Sequence, residues 1–160
     1  MASKEQIYTN YRLQLSDREI LGTLVVRDGS IADIQPGIVS GGINGAENYL
    51  MPGLIELHTD NLERCISPRP KIRWPLEATA SYHDRDLISA GITTVCDAIA
   101  ISDVEENSDR VSLYNAMINV ISTGQQQGKF ATDRRLHLCC ELAYENVFSE
   151  GQPVKNCNYA

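Results

Sequence analysis

The sequence predicts an α/β chain, with a β-hairpin at the front and alternating strands and helices behind it. Two observations carry this. Between residues 20 and 35 apolar positions alternate on either side of an Asp-Gly pair, which is a hairpin signal. Further on, short β-branched runs are separated by segments of helical spacing, which predicts a right-handed parallel βαβαβ unit.

In the hairpin, Leu24 and Val26 alternate with Val25, Asp28-Gly29 turns the chain, and Ile31 and Ile34 resume the apolar run. Residues 36–47 hold Pro36, Gly37, Gly41, Gly42 and Gly45 and predict a flexible connection. No Gly-Lys-Ser or Gly-Lys-Thr follows, so these glycines are not a phosphate loop. Residues 50–57 predict a buried apolar strand, with Pro52 near its start where a missing donor is tolerated. Residues 81–90 predict a helix capped by Gly91. The run ITTVCDA, 92–98, predicts a buried strand.

A second helix is expected over 108–126, with Val111, Tyr114, Met117 or Ile118, and Ile121 on one face. Ser108 suits its N-cap and Asp109 its first turn. Residues 135–142, RLHLCCEL, predict a third strand. Residues 143–160 are polar and show no apolar stripe. Three parallel strands followed by such a segment lack protected edges, so the chain reads as the beginning of something larger.

Composition narrows the class. The chain has 160 residues, 42% hydrophobic and 22% charged, values of an ordinary globular domain. The start, MASKEQIYTN, lacks the layout of a signal peptide, and no apolar run approaches the roughly 18 residues of a membrane span. Five cysteines occur without a C-x-x-C. Cys65, Cys96, Cys139, Cys140 and Cys157 are therefore expected as reduced thiols in a cytoplasmic protein. Adjacent Cys139 and Cys140 would face opposite sides of a strand and cannot share a metal. A net charge of −7 argues against nucleic acid or an acidic membrane as partner.

One segment departs from that average. Residues 61–75, NLERCISPRPKIRWP, carry Arg64, Arg69, Lys71 and Arg73 against one acid, Glu63, and so are +3 where the rest of the chain is −10. They also hold Pro68, Pro70 and Pro75, three of the six prolines. Proline fixes φ and disfavours helix, which predicts a stiff, extended loop. Such a loop suits an anion such as a phosphate chain, or it is a solvated surface loop balanced by acidic neighbours.

Immediately before it, LMPGLIELHTDNLE (50–63) ends an apolar run in polar residues. His58 and Asp60 lie two apart, so on a continuing strand both point one way. At the end of a parallel strand that is the catalytic face of an α/β protein. Imidazole and carboxylate suit zinc, manganese or iron, and two of them make half a tetrahedral shell. His-x-Asp by itself is also common in chains that bind nothing.

The longer strings are more specific. PGLIELHTDNLE with PRPKIRWP, SYHDRDLISAGITTVCDAIAISD and RRLHLCCEL resemble PhnM, the phosphonate-metabolism branch of the amidohydrolase superfamily, over residues 12–142. Most of the superfamily has His-x-His where this sequence has His58-Thr59-Asp60; Asp60 fits the branch. The resemblance implies a small N-terminal β-sandwich piece (1–49), the first three β/α units of an incomplete (β/α)8 barrel (50–142), and a non-matching tail (143–160).

It also implies a function. Enzymes of this branch hydrolyse α-D-ribose 1-methylphosphonate 5-triphosphate and release diphosphate in phosphonate catabolism. A divalent metal on His58 and Asp60 is implied, with Arg69, Lys71 and Arg73 on the triphosphate. Further ligands and the catalytic carboxylate are expected on strands that this sequence does not contain. The fragment by itself is accordingly expected to have little or no hydrolase activity. Two other functions stay open: another amidohydrolase acting on a C–N bond, and a truncated non-catalytic remnant. Homo-oligomerisation also stays open.

Several further residues are candidates. Asn61, Glu63 and Glu141 are expected to orient the metal ligands. Asp97 is expected at the end of the second strand in a similar role, and Glu56 deeper in the barrel or near its rim. His83 is expected near a helix start, as a surface or capping histidine. His137 suits a buried structural histidine or a cleft residue equally.

Overall fold

The computed structural model describes residues 4–101 and 110–140. They fall in two compact units that divide after Pro52, three residues beyond the expected boundary. The reason is that the 50–57 run does not form one strand. Tyr49–Leu50 pairs with the first sheet, and a separate strand, Leu54–Thr59, opens the second.

The first unit is a five-stranded sheet. Its central strand, β1 (Glu5–Gln14), pairs antiparallel with β2 (Glu19–Arg27), which pairs antiparallel with β3 (Ser30–Pro36). The predicted tight turn joins β2 to β3, with Asp28 at φ 51° and Gly29 at φ 81°, as a primed hairpin turn requires. On its other side β1 pairs in parallel with β4 (Ile43–Asn44) and β5 (Tyr49–Leu50), so the glycine-rich connection contains a short strand. No alternation in the sequence announces β1, because a bulge between Tyr8 and Tyr11, with Asn10 at φ 60°, interrupts its register. β3 ends the strand order and is an edge strand, with Ile31 and Ile34 exposed.

Two threonines sit where a core would be expected. Thr9 and Thr23 are buried and their hydroxyls lie 3.0 Å apart. Thr23 donates to the Gly37 carbonyl at 2.9 Å, and the Val39 amide donates to Thr9 at 3.0 Å. Each buried hydroxyl is satisfied, and the 37–39 segment is held against the sheet.

The second unit has three parallel strands in the order β6 (Leu54–Thr59), β7 (Ile92–Ile101), β8 (Asp133–Cys140). Between β6 and β7 run α1 (Asn61–Ile66) and α2 (Leu76–Ser89); α3 (Arg110–Gln126) links β7 to β8. This is the predicted βαβαβ order, and the architecture is that of a partial barrel. Ser108, Asp109, Glu141, Leu142 and the 143–160 tail lie outside the described residues.

Two elements differ from expectation. The loop predicted from residue 61 begins with a helix, because the prolines start only at Pro68 and leave six residues free to coil. Leu62 and Ile66 of α1 are buried, at 2% and 1% exposure. The next helix, α2, starts five residues early, directly after Pro75, whose carbonyl accepts from the Thr79 hydroxyl at 2.9 Å. Its end matches the prediction, with Gly91 at φ 81°.

The strand faces then sort cleanly. Ile99 of β7, with Leu136 and Leu138 of β8, meets α1, α2 and α3 residues Leu62, Ile66, Ala80, Tyr114, Met117 and Ile121 in one apolar cluster. The helical spacing over 108–126 thus does mark the buried face of α3. Residues at alternate positions of β7 and β8 face the other way. The first strand is less buried than expected, with Leu54, Ile55 and Leu57 exposed at 52%, 62% and 70%.

Candidate metal centre

The site begins where β6 loses its regular register. Glu56 pairs with Val95 and Thr59 with Asp97, so two residues of β6, Leu57 and His58, sit opposite Cys96 alone. The His58 amide donates to Glu56 Oε1 at 3.1 Å, which ties Glu56 to the strand end. His58 is exposed and meets His137 of β8 edge to face, with ring centroids 4.9 Å apart at 88°.

His137 is set in a defined tautomer. Its Nδ1 lies 3.2 Å from the Leu57 carbonyl. A carbonyl only accepts, so Nδ1 carries the proton and Nε2 keeps a lone pair for another partner. Cys139 follows two residues later on the same face of β8. The candidate ligand atoms of His58, His137 and Cys139 all lie within 4.8 Å of one another. The β7 residues paired with His137 and Cys139 are Ala98 and Ala100, whose small side chains leave room above the middle strand.

Asp60 does not share the strand face with His58. The strand stops at Thr59, and Asp60 occupies the N-cap position of α1 at φ −98°, ψ 8°, without a side-chain capping bond. The two-residue alternation therefore does not reach it. Asn61 opens α1 exposed, its amide donating to the Thr59 hydroxyl at 3.3 Å. Glu63 is half-buried and borders a small recess with Ile99, Leu113, Tyr114 and Met117. Glu141 lies outside the described residues.

After α1 the chain makes the predicted stiff loop, over residues 67–75. The Trp74 amide donates to the Ile66 carbonyl at 2.9 Å and closes it at the base. At its tip the Ile72 amide donates to the Arg69 carbonyl at 3.1 Å, with Pro70 and Lys71 between them and Lys71 at φ 65°. That is a turn with proline in its favoured second position. Ser67, Pro68, Arg69, Pro70, Lys71, Ile72 and Arg73 line a concavity of about 740 Å³. Arg69, Lys71 and Arg73 are all exposed, so the loop presents three cations around one hollow.

The helix-facing side holds a polar group that the sequence did not reveal. Asp97 is not at a strand end. It sits midway along β7 at 1% exposure and takes a bidentate contact from Arg134 of β8, at 2.8 Å to Oδ2 and 2.5 Å to Oδ1. Arg134 also donates to His83 Nδ1 at 3.0 Å and to the Ala80 carbonyl at 3.3 Å, and lies 4.9 Å over the Phe130 ring. His83 is therefore no surface histidine; it is 1% exposed. Asp84 beside it accepts from the amides of Ala131 and Thr132 and from the Thr132 hydroxyl at 2.6 Å.

Electrostatics follow from that packing. Burial, and then the Arg134 charge, push the His83 pKa down. An arginine can only donate, so His83 Nδ1 must stay unprotonated to keep its bond. Burial alone would raise the Asp84 pKa, but hydrogen bonds from Thr132 and Ala131, with the Arg134 charge, bring it below the ordinary carboxylate value. This cluster ties α2 to β7 and β8 and belongs to the scaffold.

No family model matches the chain. Among curated proteins it is 42% identical over 144 residues to the α-D-ribose 1-methylphosphonate 5-triphosphate diphosphatase of Escherichia coli (strain K12). The chain matches the N-terminal portion of a PhnM diphosphatase. The match covers 88% of this chain and 38% of that relative's length. Among solved structures, a D-hydantoinase aligns with a TM-score of 0.56 at 20% identity, covering 94% of this chain and 30% of the other. The dihydropyrimidinase from Brevibacillus agri NCHU1002 aligns at 0.53 and 16% identity, covering 96% and 31%. These likenesses are of fold. They agree with a PhnM-like chain that holds the first strands of a barrel.

Of the site residues expected from sequence, His58 and the three loop cations lie on consecutive elements of this PhnM-like unit. What sequence reasoning missed is the meeting of His58 with the third strand. The signal was present as His137-Leu138-Cys139, two donors on one strand face, but only the register of β7 with β8 brings them level with His58.

Proposed function

We propose that the chain is the N-terminal portion of a metal-dependent hydrolase that cleaves α-D-ribose 1-methylphosphonate 5-triphosphate to the 5-phosphate and diphosphate in the cytoplasm. The observation that carries the proposal is the 42% identity to the diphosphatase across 88% of this chain. The strand-end His58 and the cationic loop that follows support it.

In this reading His58 and Asp60 are protein ligands to a divalent metal. The donor set fits, since both side chains are exposed and imidazole with carboxylate suits a borderline or hard cation. When bound, such an ion lowers the pKa of water toward neutrality and polarises phosphoryl oxygens. Arg69, Lys71 and Arg73 bind the triphosphate and neutralise the charge that grows on departing diphosphate. Proline at positions 68, 70 and 75 and the closure by Trp74 reduce the ordering cost of that grip. Asn61 and Glu63, on the helix just beyond, are assigned to orienting the strand end.

The experiment is a direct competition between substrate classes. The intact protein is incubated with the ribose triphosphate and, separately, with a cyclic amide of the hydantoin type, and diphosphate release and ring opening are assayed. Diphosphate release alone supports the proposal. Ring opening without diphosphate release overturns it in favour of C–N hydrolysis, a reaction for which the cationic loop has no evident use.

A further inference from the structure

We propose that His137 and Cys139 extend the metal centre onto the third strand, so that His58, His137 and Cys139 together hold one thiophilic divalent cation of the zinc type. This rests on the metal-dependent reading above and deepens it: it adds two ligands and narrows the class of ion.

The argument is geometric first. The three candidate donor atoms lie within 4.8 Å of one another. Zinc bonds nitrogen and sulfur at about 2.0–2.3 Å, so two donors on one tetrahedral ion stand roughly 3.3–3.8 Å apart. Closing the difference takes side-chain rotation of about an ångström, and His58 is exposed enough to turn. The Leu57 carbonyl, 3.2 Å from Nδ1 of His137, leaves Nε2 as the ring atom toward the metal. A metal-binding imidazole commonly donates its other nitrogen to such a carbonyl, which fixes both tautomer and ring plane.

Chemistry then selects the ion. Two imidazoles and a thiolate are a borderline-to-soft set that favours zinc, cobalt or iron over magnesium or manganese. Cys139 is not in a disulfide; on binding it loses its proton to solvent and the sulfur bonds the metal. These three donors leave one position of a tetrahedral shell, which Asp60 or water would fill. The alanines at 98 and 100 keep the intervening strand out of the way.

Cobalt(II) is the probe. The intact protein, stripped of metal and titrated with cobalt(II), is expected to show a near-ultraviolet thiolate-to-cobalt charge-transfer band. Cys139→Ser should abolish that band, Cys96→Ser should keep it, and His137→Asn should weaken cobalt affinity by roughly tenfold or more. The band in the parent protein does not depend on any variant folding. Cobalt bound without the band, a band that survives Cys139→Ser, or no cobalt binding at all overturns the inference. Diphosphate release is measured on the same samples. If release persists while the band is missing, the third-strand ligands fail and the hydrolase reading stands; if release is absent whatever the spectrum, the hydrolase reading fails separately.

Discussion

Arg134 grips both carboxylate oxygens of Asp97 across adjacent parallel strands, at 2.8 and 2.5 Å, with both side chains 1% exposed or less. A buried pair of this kind is weak evidence for added stability, yet removing one partner leaves an uncompensated charge in the interior.

Asp97→Asn is accordingly expected to cost about 3–5 kcal/mol, measured by urea denaturation. The paired apolar replacement Asp97→Leu with Arg134→Met should cost much less than either single change. Equal losses for the single and double variants would show that the pair is not the source of the effect.

Stability should fall on acidification in two windows. Burial holds the folded pKa of His83 below the ordinary 6.5, so between the folded and unfolded values the unfolded chain binds more protons and stability rises with pH. The contribution of His83 is present above about 6.5 and is lost as pH falls below it. Asp84 behaves alike below the ordinary carboxylate value of 3.8. The upper window should disappear in His83→Gln; a variant whose midpoint still drops between pH 7.5 and 5 places the titrating group elsewhere.

Metal content should respond to the strand end. In the full-length protein, His58→Ala and Asp60→Ala are each expected to lower bound divalent metal, read by elemental analysis after gel filtration. Unchanged content in both removes these residues from the site.

The loop makes a kinetic prediction. A charge-assisted contact is worth about 1.5–3 kcal/mol, so Arg69→Ala, Lys71→Ala or Arg73→Ala should each lower kcat/KM for diphosphate release by about tenfold or more. Rates equal to the parent in all three would make the loop an ordinary solvated surface.

Much of this architecture is legible in the sequence because it rests on local rules. Asp28-Gly29 demands its turn, Gly91 ends its helix, and the spacing of Tyr114, Met117 and Ile121 names the buried face of α3. Prolines mark the stiff loop, though they begin too late to exclude α1. What local rules cannot give is register. Asp97 reads as a polar strand end until β7 proves to run on to Ile101, and His83 looks solvent-facing until Arg134, fifty-one positions away, is seen beside it. His58 and His137 are likewise joined only by the sheet.

Along β8 the two tasks of this unit interleave residue by residue. Arg134, Leu136 and Leu138 serve the helix layer, while His137 and Cys139 face the donor cluster. A strand repeats every two residues, so a one-residue slip exchanges its faces entirely. Single-codon insertion or deletion within 133–140 would therefore turn the leucines outward and drive imidazole and thiol into the apolar layer. Substitution at His137 or Cys139 leaves the leucines facing the helices. Evolution can retune the donors here one letter at a time, while the reading length of the strand is held fixed.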